Sequence, residues 1–408
     1  MLKKLFRNTG PGPLIAAAFI GPGTVTLCTI IGSNYGLDLL WTILVSIIVA
    51  ILLQGMTVRL GIIGQKSITQ VIKEDIESTW LRRILLGLIL TAIMIGNTAY
   101  EAGNISGAVL GLETLFGKQH LIVREISINL FSVFIGLLAG GLLWIGKYKI
   151  IERSLIILVI LMSISFLTTS IATGPSFLEI FNGLFRFSIP KGSLLSIIGL
   201  VGTTIVPYNL FLHTELVREK WSKSTDLPYA IKDMIIALTL GGIISLSIII
   251  TAASIKTNTI ESAADLAFGL EPLFGSSAKY FLSLGLFAAG ITSTITAPLA
   301  ASYVVCSCMG WKTDLKSLNF QRVWAFVILF GVMISATGLK LIFIIQFAQI
   351  TNGILLPIIV AILIWIMNKS SLLGLMKNNF FQNILGLIVV IVALILSTKS
   401  LWFVYQNF

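Results

Sequence analysis

Two short peptides carry most of the chemistry this chain could perform, Gly21-Pro22-Gly23-Thr24 and Val206-Pro207-Tyr208-Asn209. Each sets a proline and its neighbours inside a run that is otherwise apolar. Proline removes a backbone donor and crowds the preceding turn, and glycine tolerates unusual dihedrals, so both runs should unwind at these points. The carbonyl and amide groups freed by unwinding can hold a small ion. The side chains able to join them are neutral: the hydroxyls of Thr24, Thr203, Thr204 and Tyr208 and the amide of Asn209. Gly21, Gly23 and Val206 add backbone only. Glu101 and His213 are ionisable residues in apolar segments, where such groups are expensive unless used, and they are candidates for carrying H+.

The elements that must position these groups are long apolar helices. A helix needs about 20 mostly apolar residues to cross a hydrocarbon core of about 30 Å. Runs of that kind are expected at 13–34, 38–60, 84–111, 125–145, 150–173, 193–217, 230–255, 277–308, 321–338, 341–367 and 381–398. They lack period-2 alternation, so the expected class is an all-α integral membrane protein of 11 spans rather than a β-barrel. Lys3, Lys4 and Arg7 ahead of Leu14 to Ile20 would also fit a cleaved leader, but the apolar stretch resumes after Thr24, and one interrupted span is expected. With the N-terminus inside, 20 of the 28 Lys and Arg fall on inner segments, which predicts an N-in, C-out orientation. Between Thr259 and Gly275 a short amphipathic piece is expected on the outer surface.

Composition excludes other classes. Charged residues make up 11% of the 408, hydrophobic residues 56%, and the mean hydropathy is +0.99, against about 25% charged in soluble domains. The net charge of +11 is spread in short groups between apolar runs, so the partners expected are a lipid bilayer and a small ion, with no nucleic acid. Cys28, Cys306 and Cys308 have neither zinc nor disulfide spacing and read as packing residues. With only His120 and His213, no nucleophile–base pair or helical His-Glu set is present, so neither an enzyme nor a cofactor is expected.

Breaks in the first and sixth spans are five spans apart, as an inverted-repeat transporter requires. The expected organisation is a single transmembrane domain over 1–408, with one repeat at about 13–173, a second at about 193–367 and an extra helix at about 381–398. At this point the residues resemble the Nramp family of proton-coupled divalent-metal transporters. The resemblance rests on GPGTVTL, Tyr35 to Trp41, Arg59-Leu60-Gly61, GTTIVPYNLFLH from Gly202 to His213, STIT from Ser293 to Thr296, and Gln349 followed by Pro357. It implies a LeuT-type fold with broken helices 1 and 6. It also implies a proton path at Glu101 and Asn104, where the family has Asp-x-x-Glu, a family histidine at His213, and a place among the candidate cargo-binding groups for the Gln349 amide, which matches the family's glutamine of span 10. In LeuT-type folds a sodium ion commonly lies between span 1 carbonyls and span 8 hydroxyls, which here implies Ile20, Gly23, Thr292 and Ser293. Threonine and serine bonding to their own helix is the plainer alternative.

This chain departs from the family where the chemistry lies. Gly21 stands in place of the metal-binding aspartate, Val206 in place of the thioether, and Tyr208 in place of the first histidine. Transition metals favour thioether, imidazole and carboxylate ligands, and a bare dication at mid-bilayer needs negative charge nearby. The expected cargo is therefore a small oxyanion such as bicarbonate, moved with Na+ or H+, held at helix N-termini whose Gly23, Thr24 and Val25 amides lie open. Alternatives are a hydrated Mg2+ or Mn2+, and a small carboxylate or amino-acid-like solute.

Overall fold

The structure is a computed structural model that describes residues 11–12, 20–123, 126–146, 149–254, 263–337 and 339–407. The apolar stretch of a leader, Leu14 to Phe19, and the start of the first span lie outside them. The helices are α1 (Pro22–Tyr35), α2 (Leu40–Arg59), α3 (Ile68–Asp75), α4 (Thr79–Phe116), α5 (Leu130–Ile145), α6 (Lys149–Thr173), α7 (Phe177–Phe185), α8 (Leu194–Thr204), α9 (Pro207–Lys220) and α10 (Leu227–Ala253). After them come α11 (Ala263–Ala267), α12 (Glu271–Phe274), α13 (Ala278–Met309), α14 (Leu318–Ser335), α15 (Leu341–Met367) and α16 (Phe380–Asn407). Each expected span, so far as its residues are described, falls on these helices, the sixth being divided between α8 and α9. Among the described residues seven are long and apolar enough to cross a membrane, or nine if each bent pair counts as one.

Two expectations about local structure are corrected. The fourth span does not begin at 125: β1 (His120–Val123) and β2 (Ile126–Asn129) form an antiparallel hairpin, with His120 opposite Asn129. Leu121, Ile122, Val123, Ile126 and Ile128 favour a strand as readily as a helix, and α5 starts only where Asn129 accepts a hydrogen bond from the Phe131 amide. The piece before α13 is not wholly a surface helix. Leu266 and Leu270 are completely buried while Phe268 and Leu273 are exposed, so α11 and α12 tuck one apolar edge into the bundle. Residues 259–262 lie outside the described ones.

Helix α4 is the pole around which the bundle is built. Its 38 residues extend about 57 Å at 1.5 Å per residue, and α13, α14 and α15 pack along it, while α1 packs chiefly on α10. Small residues allow the close approaches: Gly103 meets Ala348 of α15, Gly290 of α13 meets Ala108, and Gly136 of α5 meets Val332 of α14. The three cysteines are buried and free. Large apolar side chains such as Ile48, Leu137, Ile171, Leu240 and Leu329 are exposed on the outside of the bundle, a surface suited to lipid and not to water.

At the end of α2 the buried Arg59 guanidinium donates to the Met376 carbonyl at 2.9 Å, to Asn378 Oδ1 at 2.8 Å and to Gln382 Oε1 at 3.3 Å. These acceptors belong to the loop before α16 and to its first turn, so one fork joins segments more than three hundred residues apart. Arg59→Ala should lower stability by about 2–4 kcal/mol, since hydrogen bonds to a charged group contribute about 1.5–3 kcal/mol each and not all are lost independently. Arg59→Lys should recover only part of this, because an ammonium lacks the planar fork. Denaturant unfolding in detergent measures both.

Candidate functional site

The first break is made by Gly21, extended at φ −79° and ψ 172°, and by Pro22 as the first helical residue of α1. At the second, α8 ends at Thr204, Ile205 and Val206 are non-helical, and α9 starts at Pro207. Neither half-helix has a side-chain cap or an acidic residue in its first turn. Proline at the first helical position forfeits only an N–H that a helix cannot pair. Each break therefore presents the positive end of a helix without a carboxylate of its own, and at the second the nearest acidic group is Glu101 of α4, close enough to act on the Tyr208 hydroxyl.

Hydrogen bonding shows which donors remain. The Val25 amide donates to the Gly21 carbonyl at 3.2 Å, and the Asn209 amide to the Val206 carbonyl at 3.0 Å. Val25 is therefore not an open donor as expected, because the first intrahelical bond already reaches back to the capping residue. The Gly23 amide, two residues nearer the first break, and the Tyr208 amide, one residue nearer the second, have no acceptor within their own helices.

The hydroxyls divide into two groups. Thr203 and Thr204 both donate to the Leu200 carbonyl at 2.9 Å, and Thr292 donates to the Ala288 carbonyl at 2.7 Å, so their protons serve their own helices and only their lone pairs face outward. By contrast, Tyr208 Oη, Asn209 Oδ1, Ser293 Oγ and Thr294 Oγ1 are buried without a hydrogen-bond partner among the described residues. An unpaired polar group in a low-dielectric interior costs about 1–3 kcal/mol, which a bound polar species would recover. Ile20 and Thr24 are both buried, and Thr24 already has a polar interaction. Gln349 lies in α15, but its side chain is outside the described ones.

Glu101 is fully buried on α4 and packs against Gly331 of α14. Neither of its oxygens meets a donor in hydrogen-bonding geometry among the described residues, although the Asn104 side chain is close. His213 Nδ1 lies 3.4 Å from Thr57 Oγ1, whose own proton goes to the Gln54 carbonyl at 2.9 Å. Thr57 can therefore only accept from the imidazole. This makes Nδ1 the protonated nitrogen of neutral His213 and leaves Nε2 as the basic one.

The sequence reading missed Tyr100. It lies on one face of α4 with Gly103 and Gly107, at i, i+3 and i+7, a spacing that would have marked the face. Gly107 meets the Pro22 ring at the first break, and the Tyr100 ring meets the Tyr208 ring at the second, edge-on with centroids 5.3 Å apart. Seven residues of helix separate the contacts, about 10 Å along the axis. A further tether, Asn97 Nδ2 to the Ala297 carbonyl at 2.9 Å, fixes α4 against α13. Among the described residues no three His, Cys, Asp or Glu side chains converge as a metal-binding group.

The chain is 27% identical over 431 residues to the divalent metal cation transporter MntH of Staphylococcus saprophyticus, an alignment that covers 100% of this chain and 93% of that protein. It is 28% identical over 397 residues to the metal transporter nramp1 homolog of Dictyostelium discoideum, covering 93% and 72%. The structure resembles that of the Eremococcus coleocola manganese transporter, with a TM-score of 0.77 at 22% identity, covering 98% of this chain and 87% of that one. It also resembles MhsT in complex with L-phenylalanine, with a TM-score of 0.57 at 17% identity, covering 96% and 98%. The fold is thus LeuT-like, with helices broken at Pro22 and Pro207. The Nramp family model, described as natural resistance-associated macrophage protein-like, matches residues 12–403. A match of that extent takes in both breaks and the membrane-length helices between them, and the chain belongs to the Nramp family of membrane transporters.

Proposed function

We propose that this chain is a secondary active transporter whose cargo is a small oxyanion, with bicarbonate as the named candidate, bound between the two breaks and moved together with Na+ or H+. The observation that carries this reading is the neutrality of the breaks: Gly21, Val206 and Tyr208 stand where the family resemblance implies an aspartate, a thioether and a histidine. Two uncapped helix N-termini, the open Gly23 and Tyr208 amides and the unpaired Tyr208 hydroxyl are donors, and donors suit an anion. The proposed frame is one transmembrane domain, repeats at about 13–173 and 193–367 with an extra helix at about 381–398, in the plasma membrane with the N-terminus inside. An anion entering a negative interior must be driven, at about 2.3 kcal/mol per charge per 100 mV, which is why a coupled cation belongs to the proposal. Thr292 and Ser293, whose hydroxyl oxygens can face a cation, with the Ile20 and Gly23 carbonyls would hold Na+, while Glu101 and His213 would carry H+.

The relatives named above are metal transporters, and this favours a second reading: a hydrated Mg2+ or Mn2+ that keeps its waters, is held by hydroxyls and carbonyls, and has Glu101 as a distant counter-charge. Proteoliposomes separate the two. Uptake of labelled bicarbonate that rises with an inward Na+ or H+ gradient, without uptake of Mn2+ or Mg2+, is the expected result. Movement of either metal without bicarbonate would reject the oxyanion in favour of the cation.

Tyr208→Phe removes one donor and leaves the ring in place. Loss of a hydrogen bond to a charged acceptor is worth about 1.5–3 kcal/mol, so the KM for bicarbonate should rise about tenfold or more, with Vmax little changed. Initial uptake rates against concentration check this.

A further inference from the structure

The two breaks do not touch the bundle in the same way. The first rests on a glycine of α4, Gly107, and the second on an aromatic ring of the same face, Tyr100. Both Tyr100 and Tyr208 are buried, and their rings meet at 67°, the edge-to-face arrangement in which the positive rim of one ring lies on the negative face of the other. Close packing on all sides leaves such a pair few alternative rotamers. Tyr208, the residue after the Pro207 break, therefore has its phenol direction set from outside its own helix. Its hydroxyl meets no partner in hydrogen-bonding geometry among the described residues, although the Tyr100 hydroxyl is close.

We propose that Tyr100 is a positioning residue of the transport site: its ring, edge-on to that of Tyr208, holds the Tyr208 hydroxyl toward the cargo. This deepens the reading of the breaks as the cargo site and rests on it. Tyr100 acts through Tyr208 by ring packing, so a ring without the hydroxyl retains most of the function. A branched aliphatic side chain does not, because it loses the edge that orients the phenol.

The test uses the full chain in proteoliposomes, with uptake of bicarbonate, Mn2+ and Mg2+ measured for wild type, Tyr100→Phe, Tyr100→Leu, Tyr208→Phe and the Tyr100→Leu/Tyr208→Phe double variant. Thermal melts in detergent establish that each is folded. The wild-type row by itself reports whether the cargo is the oxyanion. The variant rows test the role of Tyr100 for whichever ion the wild type carries. In Tyr100→Leu the KM is expected to rise at least tenfold with Vmax within threefold, and Tyr100→Phe is expected to bring KM back to within threefold of wild type. The double variant should be no worse than Tyr208→Phe alone, because Tyr100 works through that hydroxyl. An unchanged KM in folded Tyr100→Leu, equal damage in Tyr100→Phe and Tyr100→Leu, or multiplicative losses in the double variant would each overturn the proposal.

Discussion

Replacing Gly21 with Asp is expected to abolish bicarbonate uptake and to create saturable Mn2+ uptake. The backbone at Gly21 is extended, a conformation open to any residue, and aspartate is a favoured helix cap, so the substitution is compatible with the start of α1. Its effect is electrostatic. A carboxylate about 4 Å from a bound anion costs about 4 kcal/mol at an effective dielectric of 20, close to a thousandfold in affinity. For a dication the same charge acts with the opposite sign and adds a hard ligand at the positive ends of α1 and α9. Uptake assays with both ions, together with titration calorimetry for Mn2+, measure the exchange. Unaltered bicarbonate kinetics in a folded Gly21→Asp protein would place the cargo somewhere other than the first break.

The second large effect is expected at Gly107. A methyl group there would overlap the Pro22 ring, which is rigid and sits at the first residue of a half-helix, so the break itself has to move. Overpacking of this sort costs about 1–3 kcal/mol in stability. The functional loss should be larger than the stability loss, because displacement of α1 by even a fraction of an ångström misplaces the Gly23 amide. Gly107→Ala should reduce uptake at least a hundredfold while the protein still inserts and remains monodisperse. Gly87, on the same helix, has no heavy atom within 4 Å of an added Cβ. Gly87→Ala should stabilise α4 by up to about 1 kcal/mol through helix propensity and leave uptake as in wild type. Similar behaviour of the two variants would show that the contact with Pro22 is not what positions the break.

The primary structure was sufficient for much of this architecture. Apolar runs of membrane length and the prolines at 22 and 207 depend on local composition, and helices fell on the described residues of each run. Even the departures had local causes: the β1–β2 hairpin arose in a stretch of β-branched residues whose preference is compatible with either state. The chemical identity of the breaks was equally plain, since Gly21, Val206 and Tyr208 stand in the chain for anyone to read. Packing decided what those residues can do. Thr203, Thr204 and Thr292 have the same hydroxyl as Thr294, yet three spend their proton on a carbonyl one turn back while Thr294 is left unpaired, an outcome that depends on rotamer and neighbours. Tyr100 reads as one more aromatic in an apolar run until α4 is laid across both breaks. Periodicity along one helix shows which side chains share a face, but it does not show which other helix that face will meet, because that choice is made by contacts between residues far apart in the chain.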